Sequence, residues 1–210
     1  MNIPVKSKTR ANPVYRDEEL PSESTSHTGS MAALIIYPEI VKLHQIEQSA
    51  IEPGEAITGL QPMLYSSDPV VRIAALESVA ELKSPKTLPI LIEALNDYLP
   101  SIRKASIEGL SLQADGNVAR VIEPFLFDND ISVKIAAIDA LAALGGEQAI
   151  NSLASLLNDY DPIIRNNAMI ALGEIDNPFT SQYILPLQFD PDLRIRSNAA
   201  SILLEQESKK

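Results

Sequence analysis

The 210-residue sequence predicts an all-α fold, a right-handed α-solenoid (superhelix) of about five stacked helix pairs plus a final single helix. Three observations carry this expectation. A pattern returns every 31 residues without an insertion, from SDPVVRIAA at Ser67 through YLPSIRKAS, NDISVKIAA and YDPIIRNNA to PDLRIRSNA at Pro191. Each copy opens on a helix-start signature. Each also holds two short apolar stretches divided by turn-forming residues. A single helix pair cannot cover both of its apolar faces, so consecutive pairs stack into one quasi-linear domain.

Residues 1 to 30 contain Pro4, Pro13 and Pro21, many Ser and Thr, and almost no apolar periodicity, the composition of a disordered tail. Within it NPVY (Asn12 to Tyr15) is similar to the NPxY peptide that some adaptor domains read, and it is taken here as solvated linker. The repeat domain then runs over 31–207, with units near 36–66, 67–97, 98–128, 129–159 and 160–190 and a half-repeat at 191–206.

The first helix of each unit is justified by its opening columns. A basic residue stands at Arg72, Arg103, Lys134, Arg165 and Arg196; four positions earlier are Asp68, Leu99, Asp130, Asp161 and Asp192. Aspartate caps free amide donors, and Pro69, Pro100 and Pro162 suit the first helical turn. Val71, Ile102, Val133, Ile164 and Ile195 open the buried stripe, while Ala75, Ser106, Ala137, Ala168 and Ala199 form a small column that admits a neighbouring helix. Second helices follow turn signals at Pro53, Ser84, Ala114, Gly145 and Asp176, roughly over 56–65, 87–96, 118–127, 148–157 and 179–188. Their inward column is Leu60, Leu91, Ile122, Leu153 and Ile184. The last helix spans 192–205.

Two sets of polar or aromatic columns are candidates for more than packing. An Asp four residues before an Arg can pair on one helix face, and stacked copies can cross-link repeats. Asp68, Arg72, Arg103, Asp130, Lys134, Asp161, Arg165, Asp192 and Arg196 are accordingly read as a structural ladder. In the second helices Pro62, Pro124 and Pro186 alternate with Glu93 and Ser155, and three residues later Tyr65, Phe127 and Phe189 alternate with Asn96 and Asn158. The duplicated unit is therefore a pair of repeats, 62 residues long. A proline inside a helix frees the carbonyl four residues back and costs about 3 kcal/mol relative to alanine, which is tolerable on a wet or partner-facing side. These six residues form a candidate partner-binding ridge, its Pro and aromatic pairs about 20 Å apart. The opposing expectation, which the position of the aromatics at their helix ends favours, is that they turn under the following repeat and pack in the core.

Composition narrows the chemistry. The net charge of −11 falls wholly on residues 31–210, with 13 Lys+Arg against 24 Asp+Glu, so a nucleic-acid partner is not expected and a protein with a basic patch is. With no cysteine there is no disulfide, thiolate metal site or catalytic thiol. MAALIIY (Met31 to Tyr37) is too short to insert into a membrane, and the basic segment before it lacks an adjoining h-region, which makes cytoplasmic location the default. DNDISVKIAAID (Asp128 to Asp139) has oxygen ligands at calcium-loop spacing, but Val133 occupies the position where the sharp turn requires glycine. Neither a phosphate loop nor a nucleophile elbow occurs, so no catalytic, cofactor or metal site is expected and the chain is read as a non-enzyme.

These columns resemble the HEAT repeat family, and the 31-residue unit D-P-x-[VI]-R-x-x-A is most similar to the HEAT-like repeats of phycobilisome lyases, over residues 36 to about 205. The resemblance implies that the second helices line a concave face, where Arg120 is the basic residue; a groove for DNA is not implied. His27 and His44 begin no His-Glu pair, unlike the iron-holding pairs of HEAT-type hydroxylases. The function implied is a non-enzymatic scaffold or adaptor for protein–protein interaction and complex assembly. The alternatives are a subunit of a bilin lyase or phycobilisome-associated factor handling a tetrapyrrole, and a structural subunit docking through its last helix.

Overall fold

The structure is a computed structural model that describes residues 52–113 and 117–208; the expected tail at 1–30 and the first helix of the first unit lie outside them. Helix starts follow the capping chemistry. Asp68, Asp130 and Asp161 have extended backbone and accept the amide N–H of Val70, Ser132 and Ile163. They begin α2 (Pro69–Glu81), α6 (Ile131–Leu144) and α8 (Pro162–Glu174). Asp192 likewise accepts the Arg194 amide at 2.8 Å and begins α10 (Leu193–Ser208). Before α4 (Pro100–Ser111) stands Leu99, which offers no side-chain cap; there Pro100 fixes the first helical φ.

The second helices are α1 (Pro53–Leu64), α3 (Leu88–Ala94), α5 (Val118–Ile122), α7 (Gly146–Ser155) and α9 (Ser181–Ile184). Continuous α-helix to 127 and 188 was expected, but α5 and α9 give way to 3-10 turns at Glu123–Phe127 and Leu185–Phe189. Pro124 and Pro186, which lack an N–H and whose rings crowd the carbonyl four residues back, stand in these turns, and a third 3-10 turn at Leu156–Asn158 follows α7 without a proline. Pro62 lies within the last turn of α1, which stays α-helical to Leu64. Among the described residues there is no strand, and the elements form an α-solenoid of four complete helix pairs between α1 and α10.

The core sits between layers of first and second helices. Val71, Ile102, Val133, Ile164 and Ile195 are buried with Leu60, Leu91, Ile122, Leu153 and Ile184, each burial contributing about 1.5–3 kcal/mol. Ala75, Ser106, Ala137, Ala168 and Ala199 are fully enclosed, as the small column requires. Neighbouring first helices pack on one another, α2 on α4 and α4 on α6, and Ser106 of the small column donates to the Leu91 carbonyl of α3. Helices also approach closely at Gly109, where an added Cβ would stand 2.9 Å from Ala80 Cβ and 3.0 Å from Leu91 Cδ2.

Charged side chains then tie successive turns together. Arg103 donates from Nε and Nη2 to Asp128 at 2.8 and 2.7 Å, and from Nη1 to the carbonyls of Asp97 and Tyr98. Arg165 repeats this with Asp190, at 2.9 Å twice, and with the carbonyls of Asp159 and Tyr160. The expected ladder is corrected in its pairing: the capping aspartates are occupied with helix amides, and each arginine reaches a carboxylate 25 residues onward, in the next turn. Lys134 makes no ion pair among the described residues, consistent with an ammonium lacking the guanidinium's fork. Arg196 donates to the carbonyls of Asp190 and Pro191.

Hydrogen bonds from Arg165 outweigh burial and hold the Asp190 carboxyl below its ordinary range. Asp190→Asn leaves Arg165 buried without a counter-charge and is expected to cost about 3 kcal/mol at neutral pH. The contribution is complete above the unfolded carboxyl value of about 3.9 and is lost as pH falls through the lower folded value. Urea melts of wild type and variant should therefore differ at neutral pH and draw together as pH falls through the folded value, and a gap that stays constant into acid would contradict the clasp. Gly109→Ala should lower stability by about 1–3 kcal/mol through overpacking, read by the same melts.

Candidate protein-interaction edge

The turn between each second helix and the next first helix is pinned from within. The side chains of Ser66, Asp97, Asp128, Asp159 and Asp190 each accept the amide N–H two residues on, at 2.8–3.2 Å. The arginine of the following repeat closes over the carbonyls of Ser66, Asp97, Asp159 and Asp190. With the turn fixed on both sides, the residues bordering it have little freedom to rotate inward.

Their side chains point outward. Tyr65 is 67% exposed, Phe127 69% and Phe189 86%, which overturns the expectation that they pack under the following repeat. Leu126 and Leu187 of the 3-10 turns go to the core, while Phe127 and Phe189 beside them face outward, as Tyr65 does after the α-helical end of α1. Pro62, Pro124 and Pro186 are exposed on the same elements, together with Glu93 and Ser155. Two further aromatics, absent from the expected ridge, belong to the same edge: Tyr98 is 81% exposed and Tyr160 88%. Where a repeat has asparagine in the aromatic column, Asn96 or Asn158, its aromatic stands two residues later. The matching strings LNDYLPSIR and LNDYDPIIR carried that signal. Every described inter-repeat turn thus bears one exposed aromatic: Tyr65, Tyr98, Phe127, Tyr160 or Phe189.

Acidic groups accompany the edge. Tyr65 Oη donates to Glu93 Oε1 at 3.3 Å. Glu123 accepts from Ser152 Oγ at 2.6 Å and Gln148 Nε2 at 3.0 Å, bonds that hold its carboxyl below the ordinary range. Among the described residues no group of three or more His, Asp or Glu is placed to hold a metal ion. In the calcium-like string Asp128 is engaged by Arg103 and Asp130 by Ser132. His27 and His44 lie outside the described residues. No described helix is long and apolar enough to cross a membrane.

Comparison with known proteins adds lineage to this geometry. The family model for HEAT repeats matches residues 57–125 and 118–204. The chain is 28% identical over 107 residues to the bilin biosynthesis protein CpeZ of Synechococcus sp. strain WH8020, covering 47% of this chain and 58% of CpeZ. It thus spans little more than half the length of that curated relative. Among solved structures, the complex of CpcE and CpcF of phycocyanin lyase from Nostoc sp. PCC7120 matches with a TM-score of 0.56 at 21% identity, over 70% of this chain and 98% of that chain. The Pds5–Scc1 complex matches with a TM-score of 0.64 at 14% identity, over 84% of this chain and 34% of that chain. At such identities the structural likeness establishes the solenoid fold.

Because the aromatics are exposed, the triple variant Tyr65→Ala, Phe127→Ala, Phe189→Ala should stay within about 1.5 kcal/mol of wild-type stability. A thermal melt showing a loss of several kcal/mol would return these side chains to the core.

Proposed function

Since the chain belongs to the HEAT repeat family, we propose that it serves bilin handling as a non-enzymatic scaffold that binds a partner protein along its aromatic edge. The observation that carries this reading is the exposed aromatic on every described inter-repeat turn, set on a frame of pinned backbone. Tyrosine and phenylalanine supply large contact area at small entropic cost, and aromatic side chains are enriched at the centres of protein interfaces. The proline column beside them adds rigid apolar surface. The acidic balance of the repeat region favours a partner with a basic patch and makes association sensitive to salt.

The link to bilins is supported by the similarity to CpeZ, a bilin biosynthesis protein. That same similarity favours a second reading, in which the chain is a lyase-type subunit that itself holds a tetrapyrrole. Such a subunit needs cationic partners for the pigment's carboxylates, and Arg120 is the basic residue of the second-helix face.

Affinity capture from a bilin-producing cyanobacterial lysate tests both, using wild type and the triple alanine variant after matched thermal melts. Wild type should retain a discrete partner that takes part in bilin attachment, should itself purify without visible absorbance, and should lose that partner when the three aromatics are removed. Equal retention by both baits would overturn the edge. Stoichiometric visible absorbance on the chain alone would replace the scaffold with the pigment-holding subunit.

A further inference from the structure

The arginine clasp is loosened at Arg72. Arg103 and Arg165 each bind their aspartate through Nε and Nη2 at 2.7–2.9 Å, whereas Arg72 comes only within 3.5 Å of Asp97. Arg72 Nε and Nη2 are buried and make no hydrogen bond. Beside this loosened pair, bordered by the end of α1, by α2 and by α3, is a cavity of about 440 Å³, within the size range of ligand pockets. Leu76, Ile90 and Ile102 supply apolar lining, and Tyr65 and Tyr98 line it from the two successive turns.

The charge of the lining selects among ligands. Glu93 and Asp97 both contribute carboxylates, against the one guanidinium of Arg72. An anionic ligand would meet two like charges and one opposite, while a cation would meet two opposite and one like. The same negative field raises the Tyr65 phenol, chiefly through the charge of Glu93. Aromatic faces add to this preference, because a guanidinium or ammonium above a tyrosine ring is attracted by the ring's quadrupole.

We infer that this pocket receives an arginine or lysine side chain from an extended, basic segment of the partner protein, with Glu93 as its counter-charge and Tyr65 and Tyr98 flanking it. The cavity also has room for part of the adjoining residue. This inference rests on the partner-binding reading above and names the chemistry at one end of the edge. The remaining edge aromatics, Phe127, Tyr160 and Phe189, lie outside this cavity and extend the contact along later turns.

The test is fluorescence anisotropy with a dye-labelled octapeptide of alternating Lys and Arg, titrated at about 50 and 150 mM salt. Glu93→Gln and Tyr98→Ala should each raise Kd by roughly fivefold to tenfold. Glu174→Gln, which removes the same charge from an exposed site on α8, should change it less than about twofold. Equal effects of Glu93→Gln and Glu174→Gln, or no binding at the lower salt, would overturn the pocket. A lysate partner lost on Phe127→Ala with Phe189→Ala, while peptide affinity ignores Glu93→Gln, would also overturn it and leave the scaffold reading standing.

Discussion

Close approach of neighbouring helices at the small-residue column is the constraint on which the rest of this structure depends. Ala75, Ser106, Ala137, Ala168 and Ala199 are fully enclosed, Ser106 against the Leu91 carbonyl of α3, and Gly109 brings backbone against Ala80 and Leu91. Because the apolar faces of each helix pair are covered by the adjoining pairs, stability is a sum of repeat and nearest-neighbour terms. Contact at the small column sets the spacing. The arginine clasp sets the register, since Arg103 and Arg165 each hold the carbonyls of one turn and the carboxylate of the next.

Pinned turns have a consequence for recognition. A buried ion pair adds little net stability over well-packed apolar residues, but it penalises any arrangement that leaves one charge unpaired. The turns are thereby restricted to a narrow set of conformations, and the aromatic beside each one is offered in a fixed direction. A partner that docks there pays less ordering entropy than it would on a mobile loop. At Arg72 the clasp is longer than at Arg103 and Arg165, and the cavity between Tyr65 and Tyr98 lies beside it.

Much of the fold was legible because helix-start chemistry is local. Asp68, Asp130, Asp161 and Asp192 cap helices as their sequence neighbours indicate, and the small column is buried as its spacing indicates. The clasp was not legible: Asp128 and Asp190 meet their arginines across 25 residues, and helix periodicity alone pairs each arginine with the aspartate of its own helix. The aromatics were misplaced for a different reason. Standing at the ends of their helices, they were expected to turn under the following repeat, whereas Tyr65, Phe127 and Phe189 face solvent whether the helix ends in an α or a 3-10 turn. Tyr98 and Tyr160 escaped notice because they are shifted two residues from the column that holds Tyr65 and Phe127.

The central claim is that the inter-repeat turns present their aromatics to solvent on an ordered frame. It is tested most directly by 19F NMR of the 3-fluorotyrosine-labelled protein with a paramagnetic cosolute. Tyr65, Tyr98 and Tyr160 should be broadened strongly, and Tyr183, half-buried against the core, much less. Protection of Tyr98 or Tyr160 equal to that of Tyr183 would contradict an exposed edge.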